Sequence, residues 1–239
     1  MSLKYVLFAY DFPHTKTKDF ILLMKKLGYD ISCIIAAPKV QLNLPESKIR
    51  TSVKSSEYFH PKCISKMLDI PYYVAPHNSN KSLKLLKKQG ADVGVIGGAR
   101  IISEKIIDTF SYGVINFHPG IIPENRGLDN LKWAIHLDIQ QGVTAHFIDK
   151  RVDAGRIILK NQVPIYLDDT LFDTQQRLYE TQLKLAKPTF DKIIGKKIED
   201  FPLVRGGEVR SMMPNELEKD ILKKFEKYKK KYGIIREKS

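Results

Sequence analysis

Short, continuously apolar segments alternate with segments of helical periodicity over the first two thirds of the chain, and this alternation restricts the fold more than any other feature. The apolar segments that we predict to be strands are residues 5–10, 31–37, 72–74, 93–96 and 114–117. Between them, residues 17–27, 61–68 and 81–89 carry apolar side chains at helical spacing. Strands that are buried on both faces and joined by helices form mostly parallel sheets. The sequence therefore predicts an α/β, Rossmann-like sheet with helices on both faces.

The pattern changes after residue 140. Residues 143–148 and 156–163 are predicted as two strands joined by a short turn, and residues 171–194 as one long helix with an interruption at Pro188. A last amphipathic helix begins at Glu216. We predict a main domain at residues 1–200, followed by a C-terminal loop and helix at residues 201–239. The apolar stripe of this last helix would pack on the domain or on a partner, which permits a homodimer.

The formal charge of +13 raises the question of a polyanionic partner. A tRNA, a nucleotide-linked sugar or a polyglutamylated folate would each be attracted by this charge. We favour a lysine-rich solvated surface, because no basic stretch carries the interleaved aromatic side chains that stack on bases. A nucleic-acid partner is therefore permitted but not favoured.

Several classes of protein are excluded by what the chain lacks. No apolar run approaches the ~20 residues that span a membrane, and the first residues lead straight into a predicted strand without a signal-peptide cleavage site. The two cysteines, Cys33 and Cys63, have no CxxC partner and are predicted to be buried free thiols. The histidines show no metal-ligand spacing. We expect a cytoplasmic protein with no metal and no membrane partner.

Candidate chemistry first appears in residues 113–127, GVINFHPGIIPENRG. Asn116 and His118 are two residues apart at the end of a predicted strand, so both side chains leave the same face. In an open parallel sheet, ligands bind beyond the carboxyl ends of the strands. Pro119, Gly120 and Pro123 prevent a helix from starting directly after the strand, which leaves a shaped loop above the pair.

A second stretch, residues 142–159, contains a strand, a turn that includes Asp153, and a returning strand. From this turn Asp153 can reach a neighbouring strand end. Asn116 could donate an N–H to a developing oxyanion, His118 could transfer a proton, and Asp153 could orient the imidazole. Taken singly, each motif is more often structural, as a hydrogen-bonded pair or as a turn.

The run Asn116 to Pro123, followed by Arg126 and Gly127, resembles the signature of the folate-dependent formyltransferase superfamily. Residues 142–147 and 152–158 are similar to the second conserved block of that superfamily, and Asp153 follows His118 by 35 positions as the family spacing requires. The resemblance covers roughly residues 90–195 well and the N-terminal third only in its β-α pattern. It implies a formyltransferase fold for residues 1–200, with 10-formyltetrahydrofolate as co-substrate and no metal.

The same resemblance implies roles for individual residues. It assigns catalysis to Asn116, His118 and Asp153. It places the folate against main-chain groups of two segments, whose residues are Ile96, Gly97, Gly98, Ala99, Arg100, Phe147, Ile148, Asp149 and Val152. Candidate contacts to the formyl acceptor are Asn78, Pro119, Gly120, Asn125 and Arg126.

A comparison of the members of the superfamily narrows the choice of acceptor amine. A methionyl-tRNA enzyme usually carries a further C-terminal β-barrel of about a hundred residues, whereas here only a loop and a helix are predicted. A glycinamide ribonucleotide enzyme has a glycine-containing phosphate loop after its first strand, and residues 11–16 contain no glycine. A primary amine on a nucleotide-linked sugar is therefore the favoured acceptor. The alternatives are an enzyme that resembles methionyl-tRNA formyltransferase or glycinamide ribonucleotide formyltransferase, a formyltetrahydrofolate hydrolase, and a non-catalytic folate-binding protein.

Overall fold

The computed structural model describes residues 3–41, 47–49, 51 and 59–236. The strands within these residues are β1 (Lys4–Tyr10), β2 (Asp30–Ala37), β3 (Tyr72–Val74), β4 (Val93–Ile96), β5 (Gly113–His118), β6 (Arg126–Gly127), β7 (Gly142–Phe147), β8 (Arg156–Gln162), β9 (Ile165–Tyr166), β10 (Val209–Arg210) and β11 (Gly233–Ile234). The α-helices are α1 (Thr15–Lys26), α2 (Pro61–Met67), α3 (Asn80–Gln89), α4 (Glu104–Ile107), α5 (Asn130–Leu137), α6 (Leu171–Lys184), α7 (Ala186–Ile193), α8 (Asn215–Glu218) and α9 (Ile221–Tyr232). The predicted strands agree with these bounds to within one residue at each end.

Seven strands form the main sheet in the order β3-β2-β1-β4-β5-β7-β8. The first five strands in this order are parallel, and β7 and β8 add an antiparallel edge. Two short parallel pairs, β6 with β10 and β9 with β11, attach the C-terminal segment to the rest of the fold. The predicted mostly parallel α/β sheet is confirmed.

Helices cover both faces of this sheet, as predicted. Residues of α1, α5, α6, α7 and α9 pack on one face in the larger core, which includes Ile115 and Phe117 of β5. Residues of α3 and α4 pack on the other face in a smaller core, which includes Val114. Successive residues of a strand point to opposite faces, so β5 contributes to both cores.

Two predicted helices are divided in the structure. The segment predicted as one helix at 171–194 consists of α6, which ends at Lys184, and α7, which begins at Ala186. The break precedes Pro188 by about one turn, because the proline ring collides with the carbonyl four residues earlier, that of Lys184. The final segment consists of α8 and α9 in place of one helix from Glu216.

The apolar stripe of the last helix packs within the chain. Ile221, Phe225 and Tyr228 of α9 are buried in the larger core, and Leu222 is 57% exposed. The stripe is therefore covered by the protein's own domain, and it does not supply a surface for a homodimer.

The two cysteines differ in environment. Cys33 lies on β2 and is a buried free thiol as predicted, and burial raises its pKa to about 12. Cys63 is free but exposed, so the prediction of burial is wrong for this residue. The short helix α2 turns Pro61 and Ile64 toward the protein and Cys63 toward solvent.

Candidate active site

Asn116 and His118 lie on the face of the sheet that carries α3 and α4, because they alternate in phase with Val114. Strand β5 continues beyond the last residue that it pairs with β4, which is Ile115. The segments that contact the two polar side chains there are 119–130 and 148–155. The site therefore lies where β5 extends past β4, and loops instead of helices surround it there.

The carboxylate of Asp153 brings the three predicted catalytic residues together. Its Oδ1 lies 3.2 Å from Nδ1 of His118 and 3.4 Å from Nδ2 of Asn116. Its Oδ2 accepts a hydrogen bond of 2.9 Å from the backbone N–H of Gly127. Asn116 and His118, which are neighbours on β5, therefore converge on a carboxylate that lies 35 positions after His118 in the chain.

The imidazole of His118 is fixed on both edges and is only 3% exposed. Its Nε2 lies 2.8 Å from the carbonyl oxygen of Asn125 and 3.1 Å from Nδ2 of Asn130. An acceptor therefore faces each ring nitrogen, the carbonyl at Nε2 and the Asp153 carboxylate at Nδ1. The ring is therefore held between the carboxylate at Nδ1 and the polar groups of Asn125 and Asn130 at Nε2, which fixes its orientation.

Asp153 is held as a carboxylate. Burial alone would raise its pKa, but the bond and charge of His118, the charge of His146 and the Gly127 N–H together lower it to about 2. Its backbone has a φ of +43°, in the left-handed region that aspartate adopts more readily than most residues with a side chain. The predicted turn therefore orients the charged carboxylate of Asp153.

His146 belongs to the site although sequence reasoning missed it. It lies opposite Asn116 in the β5–β7 pair and is fully buried. Its Nδ1 donates to the carbonyl oxygen of Ala154 at 2.7 Å, so its Nε2 can accept from Nδ2 of Asn116, 3.4 Å away. Burial and the charge of His118 lower the pKa of His146 to about 4. This neutral ring orients the Asn116 amide.

The buried, neutral His146 predicts a loss of stability in mild acid. In the unfolded chain its pKa returns to the ordinary value of about 6.5, so between this value and about 4 the unfolded state binds more protons. The contribution of His146 is complete above pH 6.5 and falls by about 3 kcal/mol as pH drops toward 4. Urea unfolding of the wild type and of His146→Asn between pH 7.5 and 4.5 measures it. An equally steep decline in both proteins would contradict the assignment.

Lys16 is a second residue that the sequence left unassigned. Its ammonium donates to the carbonyl oxygen of Phe117 at 3.1 Å and to Oε1 of Gln182 at 2.9 Å. Phe117 lies between the two predicted catalytic residues of β5, beyond the strand's pairing with β4. Burial lowers the pKa of Lys16 to about 8, and the charge of Asp153 opposes this shift. The lysine therefore fixes the backbone at the catalytic end of β5.

Comparison with known proteins identifies the family of a chain with this site. A family model described as formyl transferase matches residues 46–187, more than half of the sequence. The chain belongs to the formyl transferase family. Phosphoribosylglycinamide formyltransferase of Haemophilus influenzae is 30% identical over 102 residues, which cover 42% of this chain and 48% of that protein. Methionyl-tRNA formyltransferase of Thermosynechococcus vestitus is 32% identical over 112 residues, covering 46% and 34%.

The chain spans about half or less of the length of these curated relatives. Its fold also matches that of a solved structure, the formyltransferase PseJ of Anoxybacillus kamchatkensis in complex with UDP-4,6-dideoxy-4-formamido-L-AltNAc and tetrahydrofolate. The TM-score is 0.53 at 23% identity, and the match covers 87% of this chain and 86% of the other. The formyltransferase fold that the resemblance implied is confirmed.

The first predicted folate segment, Ile96 to Arg100, begins at the last residue of β4. The N–H groups of Gly97 and Gly98 both donate to the carbonyl of Phe8, at 3.0 and 2.9 Å. A Cβ on Gly98 would lie 2.9 Å from Oγ1 of Thr17, so this glycine is required by close packing on α1. Ile96 and Ala99 are half-buried and Arg100 is exposed.

The second predicted folate segment lies beside the carboxylate of Asp153. Phe147 is buried in the larger core, on the face of the sheet away from Asn116, so only its main chain borders the site. Ile148 donates its N–H to Val114, and Asp149 pairs with Arg151. The side chain of Val152 is exposed. These residues stay predictions as folate contacts.

The predicted acceptor contacts occupy two places. Asn78 joins the segment after β4, where its Oδ1 accepts from the N–H of Ser103 at 2.8 Å and its Nδ2 donates to Ile101. Together with Arg100 it lines a cavity of about 180 Å³, whose other walls include Tyr10 and His77. These contacts tie Asn78 to one of the two predicted folate segments.

The other predicted acceptor contacts surround His118. Asn125 is fully buried and donates from Nδ2 to the carbonyl of Asn130, Gly120 packs against the imidazole, and Arg126 is buried. Pro119 is half-buried, and its carbonyl accepts from Gln141. In the structure these four residues shape the loop around His118, and their contact with an acceptor stays a prediction.

Two further searches concern the part of the chain that the structure describes. It contains no group of three or more His, Cys, Asp or Glu side chains arranged to hold a metal ion. None of its helices is both long and apolar enough to cross a membrane.

Proposed function

We propose that this formyl transferase moves a formyl group from 10-formyltetrahydrofolate to a primary amine, most favourably on a nucleotide-linked amino sugar. The observation that carries the proposal is the convergence of Asn116 and His118 on the carboxylate of Asp153. An amide donor, an imidazole and an ionised carboxylate are the groups that acyl transfer requires. Because the chain belongs to the formyl transferase family, we assign formyl transfer to these three residues.

The first step is the attack of the unprotonated amine nitrogen on the formyl carbon. The C–N bond forms while the electron pair of the carbonyl moves to oxygen, which becomes an oxyanion. Asn116 stabilises this charge with its amide N–H. The partners of its Nδ2, His146 and Asp153, lie at 3.4 Å, longer than the usual 2.9–3.0 Å. The amide can therefore exchange one of them for a shorter bond to the oxyanion.

The second step returns the electron pair and breaks the bond between the formyl carbon and N10 of the folate. The attacking nitrogen gives up one proton and N10 takes up one, so the products are a formamide and tetrahydrofolate. Because His118 is almost fully buried, its Nδ1 acts through Asp153, whose side chain is 15% exposed. The carboxylate of Asp153 can accept the amine proton and pass one to the departing nitrogen, while His118 orients the carboxylate.

The preference for a nucleotide-linked amino sugar rests partly on the loop after β1. His14 is the N-cap of α1, and its Nδ1 accepts from the N–H of Thr17 at 3.2 Å. Free N–H groups at a helix start are what bind a terminal phosphate, and here a side chain occupies one of them. The solved structure of PseJ with a nucleotide-linked formamido sugar and tetrahydrofolate supports the same choice of acceptor.

The decisive experiment supplies 10-formyltetrahydrofolate together with each acceptor in turn and follows tetrahydrofolate and formate separately. The panel contains a UDP-linked 4-amino sugar, glycinamide ribonucleotide, methionyl-tRNA and buffer alone. We expect tetrahydrofolate without formate, and only with the amino sugar. Equal rates without any amine, with formate released, would show a hydrolase and overturn the transfer proposal. Turnover with methionyl-tRNA alone would overturn the choice of acceptor.

A further inference from the structure

A segment beyond residue 200 lies against the catalytic loops. Residues 203–213, which we name the strap, include β10, and β10 pairs in parallel with β6. Val209 is paired with Arg126 and Arg210 with Gly127, and Leu128 donates its N–H to the carbonyl of Arg210 at 2.9 Å. Main-chain hydrogen bonds therefore join the strap to residues 126–128, the part of the loop whose Gly127 N–H binds Asp153.

The side chain of Arg126 ties the strap to the turn of Asp153. Its Nε and Nη2 donate to the carbonyl of Val152 at 3.1 and 2.7 Å. Its Nη1 donates to the carbonyls of Gly206 and Gly207 at 2.8 and 2.9 Å. One buried guanidinium thus fixes the residue before Asp153 and two residues of the strap in a single geometry.

Two glycines let the strap approach the loops backbone to backbone. Gly127 has a φ of +99°, and a Cβ there would lie 1.9 Å from the carbonyl oxygen of Arg210. Gly207 has a φ of +80°, and a Cβ there would lie 2.2 Å from the carbonyl oxygen of Pro123. No side chain fits at either position, so the strap is in direct contact with the catalytic loop.

The far end of the strap is anchored to the start of α5. Met213 donates its N–H to Oδ2 of Asp129 at 2.9 Å, and Nε1 of Trp133 donates to the carbonyl of Ser211 at 2.8 Å. The guanidinium of Arg210 lies 5.8 Å from the Trp133 ring. Asn130, the first residue of α5, contacts His118. The strap is thus linked to both members of the His118–Asp153 pair.

We propose that the strap is a positioning element of the active site: it holds Gly127 and Val152, and through them it fixes Asp153 against His118. The Gly127 N–H bonds Asp153 directly, and Val152 immediately precedes it. The catalytic meaning of this inference rests on the proposed function, but the positioning itself does not. The strap lies wholly beyond the boundary predicted at residue 200, so the proposed active site would extend into the C-terminal segment.

The test is Gly207→Ala, which pushes the strap away from Pro123. We expect the pKa of Asp153, measured from its carboxyl carbon resonance, to rise by about one unit as the Gly127 bond loosens. With an acceptor in hand, kcat should fall about tenfold to a hundredfold with KM little changed, because a misplacement of ~1 Å costs this much. A change in folding stability alone would not produce this combination.

Two matched variants separate steric displacement from backbone strain. Gly195→Ala and Gly206→Ala introduce a side chain at φ of +72° and +70°, where no atom lies within 4 Å of the new Cβ. Gly195 lies outside the strap, and its variant should retain the wild-type Asp153 pKa and rate. Gly206→Ala should shift the Asp153 pKa less than Gly207→Ala does. Equal behaviour of Gly207→Ala and Gly195→Ala would overturn the proposal.

A milder variant covers the case in which Gly207→Ala does not fold. Trp133→Phe removes the bond to Ser211 and replaces the ring that Arg210 faces with a smaller one. It should raise the Asp153 pKa by a smaller amount than Gly207→Ala does; an unchanged pKa would overturn the proposal. The carboxyl titration needs no substrate. It therefore tests the strap even if the wild type fails to turn over every amine, in which case the proposed function would fail and the strap would stand.

Discussion

Replacing Asp153 with asparagine is expected to lower kcat by a factor of about 10² to 10⁴ and to leave the fold intact. Asparagine has the same shape, and its carbonyl oxygen can still accept the Gly127 N–H. It lacks the negative charge that pairs with His118 and cannot accept the amine proton. The measurement is the rate of tetrahydrofolate formation with the acceptor found in the panel, beside the circular dichroism spectrum of the folded protein.

The control for the Asp153 variant is Asp191→Asn, which removes the same charge from an exposed ion pair with Lys187 on α7. Its kcat should equal that of the wild type. The variant Asp153→Asn should also bind 10-formyltetrahydrofolate with nearly the wild-type Kd, because the lost interaction operates during the reaction. A kcat within tenfold of the wild type would remove Asp153 from the mechanism.

The variant Glu218→Gln is expected to lose about 3–5 kcal/mol of unfolding free energy, the usual result of breaking a buried ion pair. Glu218 is 1% exposed and lies 2.6 Å from Nζ of Lys132, which is 3% exposed. Burial would raise the pKa of Glu218, but Lys132, Ser47 and the N–H of Lys48 lower it to about 2. Glutamine would leave the buried Lys132 charge with only its longer contact of 3.6 Å to Asp129. Urea denaturation at pH 7 measures the loss.

Two comparisons make the Glu218 result specific. The double variant Lys132→Met, Glu218→Leu removes both charges and should recover most of the loss, since apolar replacements of a buried pair are often neutral. The exposed pair of Lys187 and Asp191 should contribute less than about 1 kcal/mol, so Asp191→Asn should be nearly silent. The expectation fails if Glu218→Gln costs no more than Asp191→Asn.

The sequence predicts the parts of this fold that depend on local order. Apolar runs place the sheet strands to within one residue at each end, because periodicity along a strand reports burial. The break before Pro188 is also local, because the proline ring collides with the carbonyl of Lys184, within about one helical turn. What is encoded by neighbours in the chain could be predicted.

The residues that sequence analysis missed depend on contacts between distant segments. His146 meets Asn116 because of the β5–β7 register, and register is set by packing over the whole sheet. Lys16 meets Phe117 across 101 positions of sequence. Gly206 and Gly207 show no periodicity that would link them to Arg126. Such partners carry no local signal, so an isolated sequence does not identify them.

The loops and the strap cover the end of β5 that carries Asn116 and His118, and main-chain hydrogen bonds and a few glycines determine their backbone path. Gly155 belongs to the same group, since a Cβ there would lie 2.0 Å from the carbonyl oxygen of Phe147. The side chains of three residues in these segments are exposed, those of Leu128, Val152 and Val209. Substitutions at these positions need not disturb the backbone path. A lineage could therefore inherit one catalytic geometry unchanged while its outward side chains diverge, which is a direct route from one amine acceptor to another.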